Sequence, residues 1–250
     1  MKNKLFAVWF LFLAGILYSA GEEATGNAVL LKKKNGNIKI DGRLDDAGWR
    51  GRMTADKFYK SKKLGLPKYQ TEVYVTWDDE NLYVGAKLYD EDIVANYVLR
   101  DEPIYNEDVF EIFIRPDLTK NFIFEFEFSP TRVIFDALDK RGPDNSSGYK
   151  VVTKKAWNAE GIECAVHMEG TLNDWSDKDK YWSVEIKLPL KNMAYRKISP
   201  IARKGAVWGM VFARCESSWY LKAAEYSASV ALDQYGVWEH YTEWKSFKFE

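Results

Sequence analysis

The chain has 250 residues and a formal net charge of −1, with 36 basic and 37 acidic side chains. That balance excludes the basic stripe expected of a nucleic-acid binder, and the length suits one large all-β domain or two small ones. Aromatic content stands out at 16%, with ten Trp and fifteen Tyr, rings that serve cores and binding faces alike.

The first segment reads as a targeting signal. Lys2 and Lys4 are basic, residues 5–17 are apolar apart from Gly15, and Ser19, Ala20 and Gly21 are small. These parts predict a secretory signal peptide over residues 1–21, cleaved near Gly21. The apolar run is shorter than the roughly 20 residues a membrane helix needs. A short linker over residues 22–28 and one domain over residues 29–250 are expected to follow. The mature protein is then secreted or periplasmic, where Cys164 and Cys215 could form a disulfide or remain two buried thiols. No CxxC or histidine cluster accompanies them, which argues against a metal site or a catalytic cysteine.

Beyond the linker, apolar residues alternate with polar ones. Val73, Val75 and Trp77 share one face, as do Leu82, Val84, Ala86 and Leu88. Asp78-Asp79-Glu80-Asn81 divides these two runs, which reads as a hairpin. Phe122, Phe124, Phe126 and Phe128 all point one way, and Ser129-Pro130-Thr131 closes that run. Trp182, Val184, Ile186 and Leu188 repeat the pattern before Pro189. Period-two alternation marks strands with one buried face. A polar loop is expected over residues 143–148, and Leu190 to Tyr195 could make one helical turn. The predicted fold class is all-β, a two-sheet antiparallel β-sandwich of jelly-roll type with little helix.

The stretch Tyr105-Asn106-Glu107-Asp108-Val109-Phe110-Glu111-Ile112-Phe113 carries the chemistry. Alternation puts Glu107, Val109, Glu111 and Phe113 on one face and Asp108, Phe110 and Ile112 on the other. Glu111 is thereby flanked by apolar neighbours, where a carboxylate is costly unless something hydrogen-bonds it. A sugar hydroxyl could do so, and so could an arginine such as Arg214, which is expected beside Glu111 as a further carbohydrate-binding residue. The phenylalanine run turns Glu125, Glu127 and Ser129 to the side away from its rings. Tyr105 and Trp238 are candidate stacking surfaces for the flat C–H face of a sugar.

Several strings, in order along the chain, resemble the family 9 carbohydrate-binding modules. They are Ile40-Asp41-Gly42-Arg43-Leu44-Asp45-Asp46-Ala47-Gly48-Trp49, Thr76-Trp77-Asp78-Asp79-Glu80-Asn81-Leu82-Tyr83-Val84, the Tyr105-to-Phe113 stretch, and Trp182-Ser183-Val184-Glu185-Ile186-Lys187-Leu188-Pro189. Trp238 followed by Trp244 resembles the family's close. The resemblance implies a non-catalytic module in which two rings sandwich a terminal sugar, here Tyr105 and Trp238, while Glu111 accepts hydrogen bonds from its hydroxyls. Tyr105 stands where a tryptophan is usual, and Glu127 and Ser129 stand where an arginine and an asparagine can serve. The ligand implied is a poly- or oligosaccharide end, and the partners are glycoside hydrolases acting on the same polymer. Structural calcium is also implied, with Asp90 or Asp92 as candidate ligands.

Three other readings stay open at this stage. A glycosidase would use paired carboxylates. A haem-binding sandwich would need axial ligands such as His167 or His240. A surface protein-interaction module would use the aromatic rim to hold protein.

Overall fold

The computed structural model describes residues 28–120, 122–140, 150–152, 157–197, 202–232 and 243–250. Among them fourteen strands, numbered in chain order, form two sheets. The larger runs β1 (Val29–Leu31), β14 (Lys245–Phe249), β12 (Val207–Glu216), β6 (Val109–Arg115), β7 (Phe122–Phe128), β8 (Ile134–Lys140) and β9 (Lys150–Val152). β14 lines the first half of one edge of β12, and β13 (Glu225–Ala228) lines the second half, with β3 (Tyr59–Lys60) beyond it. The smaller sheet runs β10 (Glu163–Glu169), β11 (Tyr181–Pro189), β5 (Asn81–Tyr89), β4 (Thr71–Trp77) and β2 (Met53–Ala55).

The predicted hairpin is β4–β5, paired from Thr71↔Leu88 to Trp77↔Leu82. Asp78 closes it, its Oδ1 accepting from the backbone N–H groups of Glu80 and Asn81. The turn after Pro189 is a 3₁₀ segment, Leu190–Lys197. Among the described strands pairing is antiparallel except for β1 on β14, which is parallel, and just after β1 Lys33 makes an isolated parallel bridge to Trp77. This departs from the all-antiparallel expectation because the first described strand lies alongside the last. Cys164 and Cys215 are free thiols on different sheets, which decides between the two cysteine readings.

The core lies between the sheets. Phe110, Ile112, Ile114, Phe124, Phe126, Phe128, Trp208, Met210 and Phe212 meet Val73, Val75, Trp77, Leu82, Val84, Leu88, Trp182, Val184, Ile186 and Leu188. Burying each such side chain contributes about 1.5–3 kcal/mol, so alternation on these strands dominates the choice of fold. β6 adds something alternation does not foretell: all seven of its residues are buried. The outer face of the larger sheet carries two further apolar clusters. One holds Phe113, Ile123, Val211, Ala213, Ala228 and Trp244. The other holds Ile104, Val109, Val133, Phe135, Ala137 and Cys215.

The outer face of the smaller sheet explains two of the sequence strings. Glu185 of β11 is fully buried there. Its carboxylate accepts from the backbone N–H of Asp41 (2.8 Å), Gly42 (2.7 Å) and Leu44 (3.3 Å), and from the Trp49 indole N–H (2.6 Å). The segment 40–49 is thus a strap across the sheet, fastened by one glutamate. Gly85 lies opposite Glu185, and a Cβ there would come within 2.3 Å of Leu44 Cδ2. Gly42 sits at φ +88°, with room for no Cβ against the Val166–His167 backbone.

Candidate functional site

Register assembles a row across the outer face of the larger sheet. Phe135, Glu127, Glu111, Ala213, Ala228 and Tyr59 lie side by side on β8, β7, β6, β12, β13 and β3. At about 4.8 Å per strand, Phe135 and Ala228 are roughly 19 Å apart. Two small alanines and two carboxylates therefore form a floor between aromatic ends. The next row towards the loops carries Val109, Cys215 and Tyr226.

Tyr105 stands on the β8 side of this floor. It lies in the 3₁₀ turn Ile104–Asn106, with its ring edge-on to Phe135 at 5.9 Å and 36% of its surface exposed. Tyr226 stands on the β13 side, 49% exposed. The neighbouring Cys215 thiol first, burial second and the Glu111 carboxyl to a lesser degree oppose the ionisation of the Tyr226 hydroxyl. The sequence pattern does not single out Tyr226, because β13 is four residues long and alternation needs a longer run.

Glu111, between them, is 6% exposed and forms no hydrogen bond or ion pair with any described residue. Burial first, and the neighbouring Glu125 carboxylate second, push its pKa up to about 8. At neutral pH it mostly keeps its proton, so it can donate one hydrogen bond as well as accept others. This refines the expectation of a pure acceptor. Glu127 is also buried, directly opposite Glu111.

The other predicted residues have different positions. Arg214 projects from β12 to the face opposite Glu111, because Ala213 is the residue in register with Glu111. The pairing of Arg214 with Glu111, and its place in the sugar site, are therefore corrected. It is buried in the interior, donating to the Tyr89 carbonyl (2.7 Å), Asp90 (3.1 Å) and Glu216. Ser129 lies at the end of its strand and uses its hydroxyl within the turn, accepting from the Val133 N–H and sharing a hydrogen bond with Thr131. Trp238 and His240 lie outside the described residues, as do residues 1–27 and the loop predicted over residues 143–148. His167 is a partly buried residue of β10 whose ring lies 6.3 Å from that of Tyr181.

The motif's Asp108 is structural. Its two oxygens accept from the N–H groups of Val94 and Ser217, which ties the loop before β6 to the loop after β12. Asp108, Asp90 and Glu216 each bring a carboxylate oxygen within 4.8 Å of the others. Of the two calcium candidates, Asp90 joins this cluster, while Asp92 accepts from the Trp219 N–H. Calcium takes six to eight oxygens. Here Asp90 and Asp108 accept from backbone amides and Asp90 and Glu216 pair with Arg214, whose guanidinium is the cluster's cation, while Glu216 Oε1 has no hydrogen-bonding partner among the described residues. A divalent ion would sit against that like charge, so the residues do not fit the implied calcium.

Comparison with known proteins agrees with this architecture. A model of the carbohydrate family 9 binding domain-like family matches residues 40–220. Among solved structures, a family 9 carbohydrate-binding module from Caldicellulosiruptor kristjanssonii in complex with cellotriose superposes with a TM-score of 0.57 at 16% identity, covering 89% of this chain and 93% of that one. A module of the same family and organism in complex with glucose gives a TM-score of 0.54 at 16% identity over 88% and 95%. A Bacteroides uniformis structure gives 0.64 at 10% identity over 90% and 99%. No curated protein matches the sequence.

Proposed function

The chain belongs to the carbohydrate family 9 binding domain-like family, and from that premise we propose that it is an exported module that holds the end of a poly- or oligosaccharide without cleaving it. The observation that carries the reading is Glu111. A buried carboxyl with no hydrogen-bonding partner among the described residues is costly, and a sugar hydroxyl supplies the missing partner. Tyr105 and Tyr226 flank it with exposed rings. That the neighbouring structures hold cellotriose and glucose supports a glucan as the first ligand to test.

Catalysis is the weaker reading on geometry. Glycosidases place two carboxyl groups on either side of the scissile bond. Glu111 and Glu127 are adjacent strand partners on one floor, so both would lie on the same side of a bound sugar. The signal-like segment, residues 1–21, supports delivery to the secreted or periplasmic space, where glycoside hydrolases acting on the same polymer would be the partners. Calorimetric titration of the mature chain with glucose and cellotriose, alongside a glycan array and a reducing-end assay, tests the reading. Binding without sugar release is expected. Release of reducing ends, or absence of binding to any glycan, would overturn it.

A further inference from the structure

The end of the sandwich from which the loops around Glu111 rise carries a second aromatic surface. Trp175 belongs to the β10–β11 hairpin of the smaller sheet, and Trp219 to the connection between β12 and β13 of the larger one. Their rings stack with centroids 5.3 Å apart and planes 29° from parallel. Even so, 59% of Trp175 and 71% of Trp219 stay exposed. Large rings left in water are unfavourable and mark contact sites when grouped.

The pair is held in place before any ligand arrives. The Trp219 backbone N–H donates to Asp92 Oδ2 at 2.6 Å. The Tyr220 hydroxyl donates towards the carbonyls of Trp175 (2.9 Å) and Asp177 (3.0 Å), fastening one loop to the other. The hairpin is itself anchored. Asp179 accepts from the N–H of Ile93 and Thr171, and Asn173 exchanges hydrogen bonds with Ala95. Gly170 makes this possible, because a Cβ there would lie 2.0 Å from the Asp179 carboxylate.

We propose that Trp175 and Trp219 form a second carbohydrate-stacking surface, engaging further units of the same glycan whose end occupies the Glu111 face. The inference rests on the sugar-binding reading of that face and extends it. Two observations favour a sugar chain over a protein partner. The rings are set among hydrogen-bonding groups rather than in an apolar patch: Asp174 and Ser176, Asp177, and Lys178 over the Tyr220 ring at 4.8 Å. Hydroxyls of a glycan match such groups, while its C–H faces match the rings. The Trp219 loop also starts beside the Glu111 strand, where Asp108, three residues before Glu111, accepts from Ser217 N–H at 2.7 Å.

The test is a titration series with glucose, cellotriose and cellohexaose on the wild-type chain, Trp219→Ala, Trp175→Ala and Glu111→Ala. Both tryptophans are exposed, so their variants should melt like the wild type. The wild type should bind the hexaose more tightly than glucose. Each tryptophan variant should keep its glucose affinity and lose about fivefold or more of the hexaose affinity. Equal hexaose affinity in wild type and both tryptophan variants would overturn the inference while leaving the Glu111 site standing. Loss of all binding in the tryptophan variants with none in Glu111→Ala would instead overturn the reading of the Glu111 face. A wild type that binds none of the three sugars would overturn both for glucans.

Discussion

Glu185 and Glu111 each lie mid-strand on the outer face of a sheet, with 0% and 6% exposure. Around Glu185 the chain folds back and supplies four N–H donors from residues 41–49. Around Glu111 the described chain supplies apolar side chains, two flanking tyrosines and a second carboxylate, and no hydrogen bond reaches it. The first glutamate holds structure together and the second is left to be completed from outside. A buried acid is therefore informative only together with its partners: satisfied, it is architecture; unsatisfied, it points to a ligand.

Breaking the satisfied member should have the largest effect. Glu185→Ala removes the acceptor for four buried donors, and should cost at least about 3 kcal/mol of stability in urea denaturation. Sugar affinity per folded molecule should be preserved. Breaking the unsatisfied member should do the opposite. Glu111→Ala should not lower the melting temperature at neutral pH, and should weaken glucan binding by about thirtyfold, or about 2 kcal/mol, in calorimetry.

The third test uses pH. The folded-state pKa of Glu111 is raised to about 8, above the unfolded value of about 4.3. The folded state therefore holds the extra proton, and this group's contribution to stability falls as pH rises from about 4.5 to about 8, by at most about 1.4 kcal/mol per pH unit. Glu111→Gln should flatten that slope in melting curves between pH 6 and 8. It should also bind sugar much as the wild type does at pH 6, because the amide resembles the protonated acid. The smallest effect is expected at the rim: Tyr226→Ala should weaken binding by about fivefold, or about 1 kcal/mol, with little change in stability.

Much of this was legible in residue order. The runs through Val73, Leu82, Phe124 and Trp182 became β4, β5, β7 and β11 with the predicted faces inward, because alternation is a local property that follows from strand geometry. β1, β3, β9 and β13 were not legible. They have two to four residues each, too few for a period to show. Glu111 was legible as an expensive carboxyl between Val109 and Phe113. Tyr226 was not, and Arg214 was placed on the wrong face of the sheet.

Those two residues show where the boundary lies. The sequence by itself determined the strands, the residues each turns inward and the resemblance carried by Asp41-Gly42, Trp49 and the Tyr105-to-Phe113 stretch. Only the tertiary structure decided that Ala213, and not Arg214, lies beside Glu111, that Tyr226 and Tyr105 stand on opposite sides of the floor, and that Trp175 meets Trp219. Each of these depends on strand order and register between segments far apart in the chain. A one-residue change of register would turn every side chain of a strand to the other face, and only packing of the whole core selects among such alternatives.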